Sequence, residues 1–225
     1  MTIASLALKI FFREFKSGQL LLMFLSLSLA VGIVASITFF TDRLDSSLIA
    51  ESKQFLGGDL KYESSSSLDE TAFPEGEYVY SKVHEFATVL ATNNKFQLAS
   101  IKSAATPYPL VGEIEILEKN SSKKVYKSPP NPNEIWLDER LARLLEVSLG
   151  EKVSVGEKDF TFKGIIIAES DRGAGSFAFA PKGIINSLDL EKTNVIKPGS
   201  RVRYSYLFKA SSKDLVNLEN YFQEI

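Results

Sequence analysis

The pattern of apolar and polar positions divides the chain into two unlike parts. Residues 18–41 contain no Asp, Glu, Lys, Arg or His. As a helix, these roughly two dozen residues would extend for about 36 Å, enough to cross the hydrocarbon core of a bilayer. After Thr41, short apolar runs alternate with polar loops and charged positions. We therefore predict a transmembrane helix over 18–41, followed by a mixed α+β domain.

Two other interpretations of residues 18–41 stay open at the level of sequence. A buried core helix of a soluble protein can be as apolar, although such a helix is usually shorter and carries a polar stripe. A secretory signal peptide has an apolar stretch of about 7–15 residues that ends at a small-x-small cleavage site. The stretch here continues through Ile37, Phe39 and Phe40 without an A-x-A site, which favours a retained transmembrane helix.

The residues that flank the apolar stretch predict its orientation. The charged residues before it are mostly basic: Lys9, Arg13, Lys16 and Glu14. Those directly after it are mostly acidic: Asp42, Arg43 and Asp45. The positive-inside rule then places the N-terminus in the cytoplasm and the domain on the outer side of the membrane. Apolar residues at helical spacing within 1–17 predict an interfacial amphipathic helix; a plain basic flank that only sets topology is the alternative.

The sequence after the predicted span contains the signals of a stalk helix and a strand-rich domain. Helical spacing continues over 42–58, where Gly57 and Gly58 predict the helix end. Alternating apolar and polar residues predict strands at 59–63, 77–90, 95–105, 111–117, 151–155, 160–168 and 201–209. Asn93-Asn94 predicts a hairpin turn between the second and third of them. Residues 106–109 interrupt the strand pattern, and a tight turn is predicted over 156–159. Helices are predicted over 137–146, with Asp138 as an acid at the N-terminal end, over 181–188, and after Ser211. The last helix has an apolar stripe of Leu215, Val216, Leu218 and Phe222, and loops are predicted over 120–133 and 171–181.

Composition excludes several classes of function. The net charge is −2, and acidic and basic residues alternate, so there is no electrostatic argument for nucleic-acid binding. The chain has no cysteine and a single histidine, His84, which excludes disulfides, thiolate metal sites and multi-histidine sites. We expect His84 to be an ordinary strand residue. No catalytic, cofactor-binding or metal-binding residue is predicted, and no cofactor.

Two stretches resemble chemical motifs without fulfilling them. Glu113 and Glu115 alternate with Ile114 and Ile116, which is the pattern of the solvent face of a strand rather than of a carboxylate pair for catalysis. The glycine-rich residues 171–181 contain neither G-x-G-x-x-G nor G-K-[ST], and Ser176 does not lie in G-x-S-x-G. We expect a structural loop there.

Five segments, in order along nearly the whole chain, resemble the ABC transporter permeases of the FtsX/MacB/LolC family, and among them the YbbP-like permeases. The segments are 29–59, 108–113, 134–145, 169–181 and 198–204. The resemblance implies a first transmembrane helix and a two-lobed MacB-like periplasmic core domain. A membrane-proximal lobe of βα units would comprise 59–105 and 200–225, with a β-rich lobe inserted at 106–199. Because a βα unit normally returns to its sheet through another strand, we expect the chain to be an N-terminal portion of something longer.

The resemblance also implies a function and partners. The chain would be the non-catalytic membrane subunit of a complex that works by mechanotransmission on envelope lipids or lipoproteins, in contact with the lipid bilayer and with a separate ATPase chain. Small residues of the span would then pack against further helices: Ser28, Gly32, Ala35 and Ser36. A single-pass anchored binding or sensor module is the alternative function, and a secreted enzyme behind a signal peptide is a third.

Overall fold

A computed structural model describes residues 5, 9–10, 12–13, 18–119, 122–171 and 180–224. The chain divides into two compact units, Met1–Ala50 and Glu51–Ile225. The interfacial helix predicted over 1–17 lies outside the described residues apart from five isolated positions. The predicted loop over 171–181 also lies outside them, except for its ends.

One long helix, α1, spans Gln19–Leu56 and ends at Gly57, whose φ is +70°. It joins the predicted span and the predicted stalk without a break. Within the described part of the chain, this is the one helix long and apolar enough to cross a membrane, with a mean hydropathy of 2.5 in its most apolar stretch. Its apolar side chains are exposed, for example Phe39 at 75% and Leu22 at 70%, so they require lipid or other helices as an environment.

In the described part of the chain, ten strands form one mixed sheet. They are β1 Leu60–Ser64, β2 Tyr78–Ala91, β3 Phe96–Ala104, β4 Ile114–Leu117, β5 Lys123–Tyr126, β6 Glu134–Asp138, β7 Lys152–Val155, β8 Lys158–Glu169, β9 Lys182–Asn186 and β10 Val202–Ala210. Their order is β1-β10-β2-β3-β9-β6-β8-β4-β5, and β7 pairs with β2 and β8. Among these described strands, the β3–β9 and β6–β8 pairs are parallel and the other pairs are antiparallel. Helix α2, Glu139–Leu144, follows β6, and helix α3, Ser212–Glu224, follows β10.

The strands of the two predicted lobes occupy two contiguous halves of this sheet. Strands β1, β10, β2 and β3 come from 59–105 and 200–225, and the remaining strands come from 106–199. The halves join through the parallel pairing of β3 with β9 and the antiparallel pairing of β2 with β7. The division into two lobes stays a prediction.

Several secondary-structure predictions are confirmed. The hairpin of β2 and β3 turns at Asn93-Asn94 and pairs Val89 with Leu98. The β7–β8 turn lies at Gly156. The side chain of Asp138 caps α2 by accepting a hydrogen bond from the backbone N–H of Leu141 at 2.6 Å.

Three predictions are wrong, each for an identifiable reason. Residues 182–186 form strand β9 instead of a helix: Ile184 and Ile185 are both buried because the strand is covered on both faces, and that removes the alternation which would have marked it. The predicted loop over 120–133 contains β5, whose polar composition is typical of an edge strand. The helix predicted from Leu137 begins only at Glu139, since Leu137 belongs to the buried strand β6.

The apolar side chains of the described residues form three buried clusters. The largest cluster lies between α2 and the sheet and contains Phe160 and Phe162. A second, around Tyr108 and Trp136, packs beneath β4. In the third, α3 contributes Leu218 against the aromatic residues of β10; Val216, predicted to be part of its apolar stripe, is 53% exposed.

Candidate functional site

Three neighbouring strands place a row of alternating charges on one face of the sheet. Glu85 of β2 lies opposite Arg203 of β10 on one side and opposite Lys102 of β3 on the other. Directly opposite residues in an antiparallel pair project from the same face. The Arg203 Nη1–Glu85 Oε2 distance is 3.6 Å, as is the Lys102 Nζ–Glu85 Oε1 distance. This row forms one side of a buried polar cluster.

Lys102 is the centre of that cluster. Its Nζ donates hydrogen bonds to the Tyr108 hydroxyl at 3.0 Å and to the Asp171 backbone carbonyl at 2.7 Å. It also forms ion pairs with Asp171 Oδ2 at 3.2 Å and with Glu169. The Tyr108 hydroxyl donates to Glu169 Oε1 at 2.7 Å. The Lys102 side chain is only 6% exposed, so these partners replace the water that the ammonium group loses on burial.

A second lysine extends the cluster to the edge strand β1. Lys61 Nζ lies 2.9 Å from Asp171 Oδ1 and 3.1 Å from Glu63 Oε1. Glu63 Oε2 in turn lies 3.7 Å from Arg203 Nε. Asp171 therefore bridges two lysines that come from different strands. We call the seven charged residues, together with Tyr108, the junction network: Lys61, Glu63, Glu85, Lys102, Glu169, Asp171 and Arg203.

Burial and neighbouring charges shift the pKa values within the junction network in opposite directions. Burial lowers the pKa of Lys102, but the charge of Glu169, followed by those of Tyr108, Asp171 and Glu85, outweighs it and raises the pKa well above its ordinary value. Burial raises the pKa of Asp171, yet Lys102 and then Lys61 bring it below its ordinary value. Burial raises the pKa of Tyr108 well above 10. Lys102 and Asp171 are therefore charged at neutral pH, and Tyr108 remains a hydrogen-bond donor.

The loop that carries Tyr108 also holds the end of helix α1. The carbonyl oxygen of Gly57 accepts hydrogen bonds from the backbone N–H groups of Leu110 at 2.9 Å and Val111 at 3.0 Å. Just before the helix end, Lys53 Nζ lies 2.9 Å from Asp59 Oδ1. All these residues belong to the Glu51–Ile225 unit. The end of the helix and the buried network are thus connected by one short loop.

The charges of the junction network are extensively paired with one another. Each charged side chain of the network has two or more partners. In the described ranges, no set of three or more His, Asp or Glu side chains is placed to hold a metal ion. Well-satisfied buried networks make a structure rigid and respond as a unit when one member moves. The network joins residues of five strands, β1, β2, β3, β8 and β10, to the loop that holds the Gly57 carbonyl.

The residues singled out in the sequence are not members of this network. Ser28, Gly32 and Ser36 are exposed on α1 and Ala35 is half-buried; their role in packing stays a prediction. Lys102 was overlooked because a lysine in a strand normally lies at the surface. The available signal was its position in the otherwise small and apolar run from Ala99 to Ala105.

The single histidine lies on strand β2, as expected, and forms an edge-to-face contact with Tyr204 at a centroid distance of 5.2 Å. Its Nδ1 is buried and makes no hydrogen bond with the described residues. Burial, assisted by the charge of Lys82, lowers the pKa of His84 from 6.5 to about 4. The ring is therefore neutral at physiological pH.

Because the pKa of His84 is lowered, we expect the protein to become less stable as the pH is lowered. The unfolded state binds a proton more readily than the folded state between pH 6.5 and about 4, so the free energy of unfolding decreases as the pH is lowered through that window. His84→Phe keeps the ring and removes the titration. Urea unfolding at several pH values, followed by the fluorescence of the single tryptophan Trp136, should show a weaker pH dependence in the variant. Identical pH profiles in the two proteins would contradict the lowered pKa.

No protein-family model matches this chain. It is 30% identical over 214 residues to the uncharacterized ABC transporter permease YbbP of Escherichia coli K12, a match that covers 94% of this chain and 26% of the relative. The chain therefore spans about a quarter of the length of that protein.

Two solved structures show weaker similarity. The extracellular domain of the noncanonic ABC-type transporter YknZ from Gram-positive bacteria is 8% identical, with a TM-score of 0.39 over 63% of this chain and 75% of that domain. The periplasmic region of MacB from Actinobacillus actinomycetemcomitans is 12% identical, with a TM-score of 0.42 over 69% of this chain and 67% of that region.

Proposed function

We propose that this chain, which is homologous to the ABC transporter permease YbbP over 94% of its length, forms part of the membrane subunit of an ABC-type complex. The observation that carries the proposal is the extent of the match: it includes both the apolar helix and the strand-rich domain. Helix α1 crosses the inner membrane with its N-terminus in the cytoplasm, and the domain lies on the outer side. ATP is hydrolysed by a separate chain.

In this proposal the junction network is the mechanical connection between the last turn of helix α1 and the sheet. Helix α1 runs without interruption to Leu56, so a movement at its membrane end would reach Gly57. The Gly57 carbonyl is held by Leu110 and Val111, which lie beside Tyr108 and its buried partners. The subunit itself performs no chemistry. Its substrates would be envelope lipids or lipoproteins, as the family resemblance implies.

The first test is whether an ATPase associates with the chain. The tagged full-length protein, solubilised from its native membrane, should retain a protein with a P-loop and an ATP hydrolysis activity above that of a mock preparation. Deletion of residues 1–41 should abolish both. Retention of the ATPase by the truncated protein would show that α1 is not the contact. Absence of any ATPase from the intact protein would instead favour the single-pass binding or sensor module.

A second test concerns the packing of α1 against further helices. A Cβ atom at Gly32 would meet no described atom within 4 Å, so Gly32→Leu leaves the fold of this chain unaffected. If Gly32 faces another helix, the added side chain separates the two helices. We therefore expect at least a several-fold lower yield of the ATPase complex, measured by quantitative mass spectrometry of the tagged protein.

Val31→Leu is the matched control for this variant. Val31 is 61% exposed on the same helix and already carries a branched side chain. The Val31→Leu variant should leave the yield of the ATPase complex unchanged. An unchanged yield and unchanged ATP hydrolysis in Gly32→Leu would mean that α1 is only an anchor.

A further inference from the structure

A cavity of about 780 Å³ opens at the beginning of strand β10. Its floor is apolar and includes Phe86, Val195 and Val202, of which Phe86 and Val202 belong to the largest buried cluster. Ser64 and Arg201 contribute polar groups at the rim. The cavity borders the junction network, the proposed coupling site, through Glu63 and Arg203, but its apolar floor lies outside that network.

The edge of β10 opens into the cavity at Val202. Strand β1 ends at Ser64, which pairs with Tyr204, so β1 does not continue alongside Val202. On the β1 side, the carbonyl oxygen of Phe208 accepts a hydrogen bond from the backbone N–H of Asp59 at 2.8 Å. Main-chain groups point alternately to the two sides of an antiparallel strand. Val202 lies six positions before Phe208, so its main-chain N–H and C=O point to the β1 side as well. There they lie beyond the end of β1 and are available to a further strand.

The charges at the cavity favour a negatively charged occupant. Glu63 and Arg203 both line it, but their side chains lie 3.7 Å apart and compensate each other. Arg201 is exposed at the rim. One positive charge thus remains beside an apolar floor, and a guanidinium group binds carboxylates in a bidentate geometry.

We propose that this cavity binds an extended segment of a partner polypeptide in which apolar and acidic side chains alternate. The segment adds as a strand beside Val202, whose main-chain N–H and C=O pair with it. Side chains of a strand point alternately to opposite sides. Its apolar side chains therefore contact Val195 and Val202, while a carboxylate reaches Arg201. Main-chain pairing supplies affinity, and the alternating side chains supply specificity.

The test uses the full chain in lipid nanodiscs, so that free detergent does not occupy the apolar floor. The probe is a short, fluorescently labelled peptide of alternating valine and aspartate, with an asparagine counterpart as the uncharged control. Fluorescence anisotropy should show about tenfold tighter binding of the aspartate peptide, a typical gain for one charge-assisted contact. Arg201→Gln should remove this advantage and leave the affinity for the asparagine peptide unchanged.

Two further variants locate the binding. Lys209→Gln removes an exposed positive charge from the other end of β10 and should leave both affinities unchanged. Ala87→Phe fills the cavity from an exposed lining position and should weaken the binding of both peptides. Binding of neither peptide, equal affinity for both, or unchanged binding to Ala87→Phe would each overturn the proposal. Tighter binding of oleate than of the aspartate peptide would also overturn it and identify a lipid site.

Discussion

Replacing Lys102 by methionine is expected to lower the free energy of unfolding by about 3–5 kcal/mol, the range for removing one partner of a buried ion pair. The methionine side chain has a similar length to that of lysine, but it leaves Glu169 and Asp171 without the positive charge of Lys102. Tyr108 also loses a donor to its hydroxyl oxygen. Urea unfolding in detergent micelles, monitored by the fluorescence of buried Trp136, measures the loss.

Lys124→Met is the matched control, because it removes a lysine that is paired in a different environment. Lys124 lies 2.6 Å from Glu118 but is 53% exposed, and exposed pairs contribute less than about 1 kcal/mol. A loss below that value in Lys102→Met would contradict our description of the junction network.

The effect of Lys102→Met should also depend on pH. Lys102 brings the pKa of Asp171 below its ordinary value of 3.8. The resulting stabilisation is present above that pH and is lost as the pH falls through the lowered value in the folded protein. The difference in stability between wild type and Lys102→Met should therefore be largest at neutral pH and become smaller below about pH 4. A difference that stays constant with pH would point to lost packing as its cause.

Gly156→Ala is expected to destabilise the protein by about 2–4 kcal/mol, the sum of backbone strain and overpacking. Gly156 has φ +59°, and a Cβ atom there would lie 2.0 Å from the Thr193 carbonyl oxygen and 2.5 Å from Val195 Cγ2. The carbonyl cannot move without cost, because it accepts a hydrogen bond from the Glu157 N–H at 2.9 Å. Thermal unfolding followed by Trp136 fluorescence measures the loss.

Gly150→Ala separates the two contributions to that loss. Gly150 also has a positive φ, +98°, but nothing lies within 4 Å of the position of its Cβ. Only backbone strain should act there, about 1 kcal/mol. Equal losses in the two variants would show that the contact with Thr193 is unimportant.

The candidate coupling site could not be predicted from the sequence, although part of its surroundings could. Neighbouring residues are enough to predict two of its local features. One is the end of the helix at Gly57, and the other is the interruption between strands at Tyr108-Pro109. Two partners of Lys102, in contrast, are Glu169 and Asp171, which lie more than sixty positions further along the chain. Whether a lysine on a strand is solvated or desolvated depends on what covers that strand, and a single strand does not contain this information.

The sequence by itself determined the long apolar helix, its end at Gly57 and the hairpin at Asn93-Asn94. An uncharged stretch of bilayer length, a glycine after a helix and an Asn-Asn turn act over a few residues and need no tertiary context. Only the tertiary structure decided that residues 182–186 form a central strand and that Lys102 lies in a buried charge network. Both depend on burial, which is created by distant segments packing together and is therefore a property of the whole fold.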